Sequence, residues 1–94
     1  MITISTKDNE IKIGGHALYD SFGKDIVCAA VSSIVITTIN ACLKLEDNSV
    51  SYNESNPLVI KVLSNNLNIL KLIDNMKDML LELSKDYPKN IKFL

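Results

Sequence analysis

The single histidine of the 94-residue chain and one of its two cysteines lie close together in sequence. His16 stands where an alternating apolar pattern ends, and Cys28 stands just inside a long apolar segment. A loop between the two positions can bring the side chains together, and a thiol beside an imidazole is a pairing used in nucleophilic catalysis. A thiol activated by an imidazole is therefore one interpretation of this stretch.

Asp25 is placed to cap the helix that the apolar segment predicts. Its carboxylate can accept a hydrogen bond from the backbone N–H of Cys28, three residues on, and this would put Cys28 in the first helical turn. A helix N-terminus carries partial positive charge, which favours a thiolate over a thiol. At helical spacing Asp25, Cys28 and Ser32 share one side of the helix and form a polar stripe.

The same residues also have a purely structural interpretation. A lone cysteine in an apolar helix is more often a small core residue, and a lone histidine after a strand is more often a surface group. Asp25 is then only a cap, and Ser32 a hydroxyl that bonds to a carbonyl one turn earlier. Spacing alone leaves both interpretations open.

The loop after His16 contains two aromatic residues, Tyr19 and Phe22. In an enzyme they would line or cover a pocket for an aromatic substrate side chain; otherwise they only anchor the loop to the core. Asp20 and Asp25 are both placed to orient the imidazole. A dyad without an orienting acid is a third alternative, and the sequence does not choose between them.

Two blocks in this stretch, GHA and DIVCAAVS, stand intact and in order. With the residues between them they form one set, which comprises Gly15, His16, Ala17, Tyr19, Gly23 and the block from Asp25 to Ser32. This set resembles the signature of the bacterial ribosomal-processing cysteine protease family, Prp. The resemblance covers the whole chain, since that family is a single small domain of this size.

The resemblance implies that Cys28 is the nucleophile and His16 its base. It implies removal of a short N-terminal extension from large-subunit ribosomal protein twenty-seven by cleavage after an aromatic residue, homodimer formation, and activity without a cofactor. The remaining candidate site residues are Asp25 and Ser32 in supporting or orienting roles, and Gly15, Tyr19, Phe22 and Gly23 in a substrate loop.

The alternative comes from a different class of protein. It is a non-catalytic module that binds a ribosomal protein, or a thiol redox sensor. A peptidase needs both Cys28 and His16, whereas a sensor needs the thiol alone and a binding module needs neither.

Composition limits the other possibilities. A chain of 94 residues has room for one domain, 1–94. Ten basic and eleven acidic side chains give no electrostatic footprint for nucleic acid. One histidine and two distant cysteines fall short of the usual metal-ligand set. Cys28 and Cys42, about 21 Å apart on one predicted helix, cannot form a disulfide within the chain, and a reducing cytoplasm is the natural compartment.

A membrane location is not expected. The N-terminal segment MITISTKDNE lacks the basic and apolar regions of a signal peptide. The apolar stretch from Ile26 to Leu45 has the length of a membrane span, but polar residues interrupt it throughout. We interpret it as a helix buried in the core of a soluble domain.

Alternating isoleucines on both sides of Lys7-Asp8-Asn9 predict a first hairpin, which ends at Gly14-Gly15. A first helix begins at Lys24 or Asp25 and ends at about Leu45. A second hairpin follows, in which Val50 and Tyr52 alternate and Leu58 to Leu63 form the more apolar strand.

A second helix then begins after the Ser64-Asn65-Asn66 cap candidates and stops at Pro88, before a last strand with Ile91 and Phe93. Met76 and Met79 are expected to fill the core under this helix. The order ββαββαβ predicts an α+β fold with two helices packed on a mainly antiparallel sheet of about five strands.

Overall fold

The order of the elements is the one that the sequence pattern predicts. In a computed structural model, which describes residues 1–15, 26–53 and 55–94, they are β1 (Ile2–Lys7), β2 (Glu10–Gly14), α1 (Ile26–Leu45), β3 (Val50–Tyr52), β4 (Leu58–Val62), α2 (Leu67–Asp86) and β5 (Ile91–Phe93). Both helices pack on one sheet, so the predicted α+β architecture is confirmed.

The sheet has the strand order β3-β4-β2-β1-β5. Neighbouring strands are antiparallel except β1 and β5, which run parallel. Because side chains alternate between the two faces of a strand, the isoleucines fall on one face and the polar residues on the other. The buried face carries Ile2, Ile4, Ile11, Ile13, Ile60 and Ile91, and the open face carries Thr3, Ser5, Lys12, Lys61 and Lys92.

α1 covers the sheet with one face only. Its buried residues recur at three- and four-residue intervals and are Val27, Val31, Val35, Thr38, Ile39 and Cys42. The other face remains open, because Ile26, Ile36 and Leu45 are each more than half exposed. By length and composition alone α1 would also pass as a membrane span, a test that core helices of soluble proteins pass as well.

The C-terminal end of α1 is capped by two hydrogen bonds to one backbone carbonyl, that of Cys42. The carbonyl of Cys42 accepts from the backbone N–H of Glu46 and from the buried hydroxyl of Ser49, both at 2.9 Å. These bonds supply partners for a terminal carbonyl that the helix itself leaves unsatisfied. They fix the direction in which the chain leaves α1 for β3.

α2 begins at the cap that the sequence predicts. The Oδ1 of Asn66 accepts a hydrogen bond of 2.8 Å from the N–H of Asn68. The helix buries Ile69, Ile73, Met76 and Leu80. Met79 is 45% exposed, so its predicted core role is wrong: it is one position from Leu80 and is turned away from the buried stripe.

Candidate active site

Cys28 is the third residue of α1 and lies in its first turn, as the sequence predicts. The side chain is half-buried and packs against the core. The backbone N–H groups at the start of a helix point toward its N-terminal end, where they give the helix partial positive charge. This end of α1 therefore favours a bound anion.

Cys28 opens onto a cleft of about 190 Å³ between α1 and the β2 and β4 strands. Ser32, one turn further along α1, lines the same cleft. Cys28 and Ser32 thus face one cleft, whereas Asp25, the third member of the predicted stripe, lies outside the described residues. The other lining residues are Ile13, Val31, Val35, Ile36, Ser55 and Leu58, so most of the wall is apolar.

The two glycines at the end of β2 both lie close to other parts of the chain, and Gly15 is the more restricted. Gly15 has φ of +69°, a region that L-residues rarely adopt, and an added Cβ would collide with the carbonyl oxygen of Met1. An added Cβ on Gly14 would lie 3.3 Å from the Cβ of Pro57. The backbone of Gly14 and Gly15, which leads to His16, thus lies close to Pro57 and to Met1.

A long-range hydrogen bond holds the same backbone. The N–H of Gly15 donates to the Oδ1 of Asn56 at 3.2 Å. Asn56 follows Ser55, which lines the cleft, in the connection between β3 and β4. The end of β2 and the wall of the cleft are therefore joined through this connection.

Of the predicted site residues, Gly15, Cys28 and Ser32 fall in the described part of the chain. The others lie outside the described residues and are His16, Tyr19, Phe22, Gly23 and Asp25, together with Asp20. Their predicted roles remain predictions.

The structure adds cleft residues that sequence reasoning missed. Ser55 and Leu58 reach the cleft from the β3–β4 hairpin, and Ile13 reaches it from β2. Leu58 and Ile13 are directly paired across neighbouring strands. The alternation of β2 and β4 predicts the buried face of each strand, but no local signal showed that these two strands would be neighbours.

Both cysteines are thiols, on α1 as predicted. Cys42 is fully buried, and burial raises the pKa of its thiol because the charged form loses hydration. Among the residues that the structure describes, no cluster of three or more His, Cys, Asp or Glu side chains could hold a metal ion.

A half-buried thiol in a first helical turn, facing an apolar cleft, can attack a carbonyl bound there while backbone N–H groups receive the developing negative charge. Comparison with known proteins identifies the class as a cysteine-type peptidase. The family described as cysteine protease Prp matches residues 1–92. The chain belongs to this family.

Two curated relatives have the same name. The ribosomal processing cysteine protease Prp of Mycoplasma pneumoniae is 31% identical over 99% of this chain and 93% of its own length. The Prp of Mycoplasma genitalium is 28% identical over 97% of this chain and 92% of its own length.

Solved structures give the same result. The essential ribosomal processing protease Prp of S. aureus, in complex with a covalently linked product peptide, superposes with a TM-score of 0.84 and 26% identity over 99% of this chain and 97% of that one. A second S. aureus Prp structure, with a substrate peptide, has a TM-score of 0.83 at 23% identity, covers 99% and 95% of the two chains, and shows the shared fold.

Proposed function

We propose that this peptidase removes the N-terminal extension of large-subunit ribosomal protein twenty-seven, with Cys28 as nucleophile and His16 as general base. The observation that carries the proposal is the position of Cys28, in the first turn of α1 and open to an apolar cleft. The chain enters the segment that contains His16 from β2, whose Ile13 lines the same cleft.

In the proposed reaction His16 accepts the thiol proton of Cys28, and the sulfur attacks the carbonyl carbon of the scissile peptide bond. The C–N bond then breaks, the protonated imidazole gives its proton to the leaving amine, and a thioester remains. Water, deprotonated by the same histidine, hydrolyses the thioester and restores the thiol. The covalently linked product peptide of the S. aureus relative supports a covalent pathway.

The start of α1 supports a further part of this pathway. Backbone N–H groups at the start of the helix, including that of Cys28, are suited to hold the oxyanion, because this end of the helix carries partial positive charge. Ser32 lines the cleft one turn behind Cys28 and is suited to donate to the substrate. Asp25 and Asp20 remain alternative orienting acids for His16, beside a dyad that uses neither.

The cleft also supports cleavage after an aromatic residue. An apolar cavity of about 150 Å³ is large enough for benzene, and this cleft has about 190 Å³ with mostly apolar walls. One aromatic ring therefore fits beside Cys28. Tyr19, Phe22, Gly23 and Gly15 complete the substrate loop in this proposal. The relatives named as ribosomal processing proteases support a ribosomal protein as the substrate.

We further propose that the enzyme acts in the cytoplasm as a homodimer and uses no cofactor. Thiol-dependent peptide hydrolysis needs no added group. The exposed apolar side chains of α1 outside the cleft, which include Ile26 at 63% and Leu45 at 62%, offer surface that a second copy would bury. Light scattering on the purified protein tests the dimer, and a mass equal to one chain at micromolar concentration would contradict it.

The first test is cleavage of a peptide that spans the extension and mature start of the ribosomal protein. We expect one cut after an aromatic residue, detected by mass spectrometry. Cys28→Ala should lower the rate by more than about 10⁴-fold, and His16→Ala by about 10²- to 10⁴-fold, the usual contribution of a general base.

Cys42→Ala is the matched control, because it removes the other thiol, which is buried near the far end of the same helix. It should cleave at close to the wild-type rate. An intact peptide after incubation with folded wild-type protein would contradict the proposed substrate. Wild-type activity in His16→Ala would contradict the proposed base.

A further inference from the structure

We propose that Asn56 is a positioning residue, which orients the backbone of Gly15 directly before His16 and thereby affects the reaction at Cys28. The inference rests on the proposed function of His16 as the general base. Asn56 is 41 residues from Gly15 in sequence, yet its Oδ1 accepts the N–H of Gly15 at 3.2 Å. His16 is the next residue, so the bond acts one peptide unit from the proposed base.

Gly15 has little freedom to satisfy this donor elsewhere. Its positive φ and the carbonyl oxygen of Met1 beside its Cα restrict it on one side. Pro57 packs against Gly14 on the other side. Because these contacts limit the movement of Gly15, the hydrogen bond to the Oδ1 of Asn56 fixes the orientation of the peptide group between Gly14 and Gly15.

The same connection also forms part of the cleft. Ser55 precedes Asn56 and lines the cleft opposite α1, and Leu58 lines it from the start of β4. A displacement of the β3–β4 connection would therefore change the cleft wall and the start of the His16 segment together. Since a misplacement of about 1 Å can cost as much as 10²-fold in rate, the bond from Gly15 to Asn56 bears on the rate of reaction.

Asn53 offers a matched control in the same connection. Its Oδ1 accepts the N–H of Val59 at 2.8 Å, and its own N–H donates to the carbonyl of Val59 at 3.2 Å. Asn53 thus closes the base of the hairpin loop without a bond to Gly15. If the two asparagines only stabilise the loop, Asn56→Ala and Asn53→Ala should have equal effects on kcat and on the alkylation of Cys28.

The test compares Asn56→Ala, Asn56→Asp and Asn53→Ala in two measurements. One is kcat and KM for cleavage of the ribosomal-protein peptide. The other is the rate of Cys28 alkylation by iodoacetamide in the Cys42→Ala background between about pH 5 and pH 9, a range that spans histidine titration. The second readout does not depend on the proposed substrate.

We expect Asn56→Ala to lower kcat by about tenfold with KM changed by less than about twofold. Its alkylation profile should move toward that of His16→Ala. Asn56→Asp keeps an oxygen acceptor at the same place, so its kcat and its alkylation profile should both be close to the wild-type values. Asn53→Ala should lower the unfolding temperature while kcat and the alkylation profile stay at wild-type values.

Three results would overturn parts of the argument separately. A wild-type alkylation profile in His16→Ala would overturn the proposed base and, with it, this inference. An altered profile in His16→Ala beside an unchanged one in Asn56→Ala would overturn this inference alone. Absence of peptide cleavage with the expected alkylation profiles would overturn the proposed substrate and leave the role of Asn56 supported.

Discussion

Cys28 and Cys42 have the same side chain and lie in the same helix, but their surroundings differ. Cys28 is half-buried and opens onto the cleft, whereas Cys42 is fully enclosed by the core. Reactive cysteines are partly exposed in an electropositive environment, and enclosed ones are inert. The position along α1 therefore separates a thiol that can meet a substrate from one that contributes only packing.

The enclosed thiol of Cys42 predicts a pH dependence of stability. Burial raises its pKa in the folded state, so the neutral form is favoured there. Its contribution to stability is complete below the pKa of an unfolded thiol, about 8.5, and is lost as pH rises through the folded value. Stability should thus fall with increasing pH above this point, by at most about 1.4 kcal/mol per pH unit.

Urea unfolding of wild type and Cys42→Ala under reducing conditions measures this effect. The difference in unfolding free energy between the two proteins should be constant between about pH 6 and pH 8 and should shrink at higher pH. All other ionisable groups are the same in the two proteins, so their contributions cancel in the difference. A difference that stays constant up to about pH 10 would contradict the prediction.

At the scale of elements, α2 shows why a repeat of apolar residues does not define a buried face completely. Ile69, Ile73, Met76 and Leu80 are buried, and Met79 beside them is exposed. Each residue advances the helix by about 100°, so neighbours in sequence point in different directions. The orientation of the helix on its sheet decides which methionine is enclosed.

The two methionines of α2 give a direct comparison. Met76→Ala should lower the free energy of unfolding by about 2–5 kcal/mol, because it removes a fully buried side chain and leaves a cavity. Met79→Ala should change it by less than about 0.5 kcal/mol. Chemical denaturation of both variants checks the difference, and equal losses would show that Met79 is also enclosed.

The fold could be predicted from the sequence because its patterns are local. Alternating isoleucines in β1 and β2, a capped start at Asn66 and a stop before Pro88 each depend on a few neighbouring residues. The DIVCAAVS block likewise marked Cys28 and Ser32, which the structure brings to one cleft.

Other features depend on contacts between distant segments. The cleft role of Ser55 and the bond from Gly15 to Asn56 require β2 and β4 to be neighbours. Each of these residues also has an ordinary local interpretation as part of a turn. Periodicity gives the faces of strands but not their order in the sheet, so these parts of the site appeared only in the structure.

For the whole molecule, β1 joins the two ends of the chain. It pairs with β2 on one side and with β5 on the other. The N–H of Ile2 donates to the carbonyl of Asn90 at 2.8 Å, and the N–H of Leu94 donates to the carbonyl of Ile4 at 2.8 Å. Ile91 is buried at this junction. Stability thus depends on contacts that span the full sequence.

A chain that ends at Asn90 should therefore be less stable than one that includes β5. The shortened protein loses the buried Ile91 and the backbone bonds of β5, which together stabilise the fold by about 3 kcal/mol or more. Lys92→Ala is the control, since Lys92 is exposed on the open face of the sheet and should have little effect. Thermal unfolding checks both, and wild-type stability in the shortened chain would contradict the prediction.

The parallel pairing of β1 with β5 also bears on the sequence of events during synthesis. The β1–β2 hairpin, α1, the second hairpin and α2 are all made before β5, so one edge of β1 has no strand beside it until the last element appears. An unpaired edge that adjoins exposed core residues is a site for pairing with other chains. The newly made protein therefore passes through a stage in which backbone N–H and C=O groups along one edge of β1 are open to pairing with other chains, and β5 ends that stage.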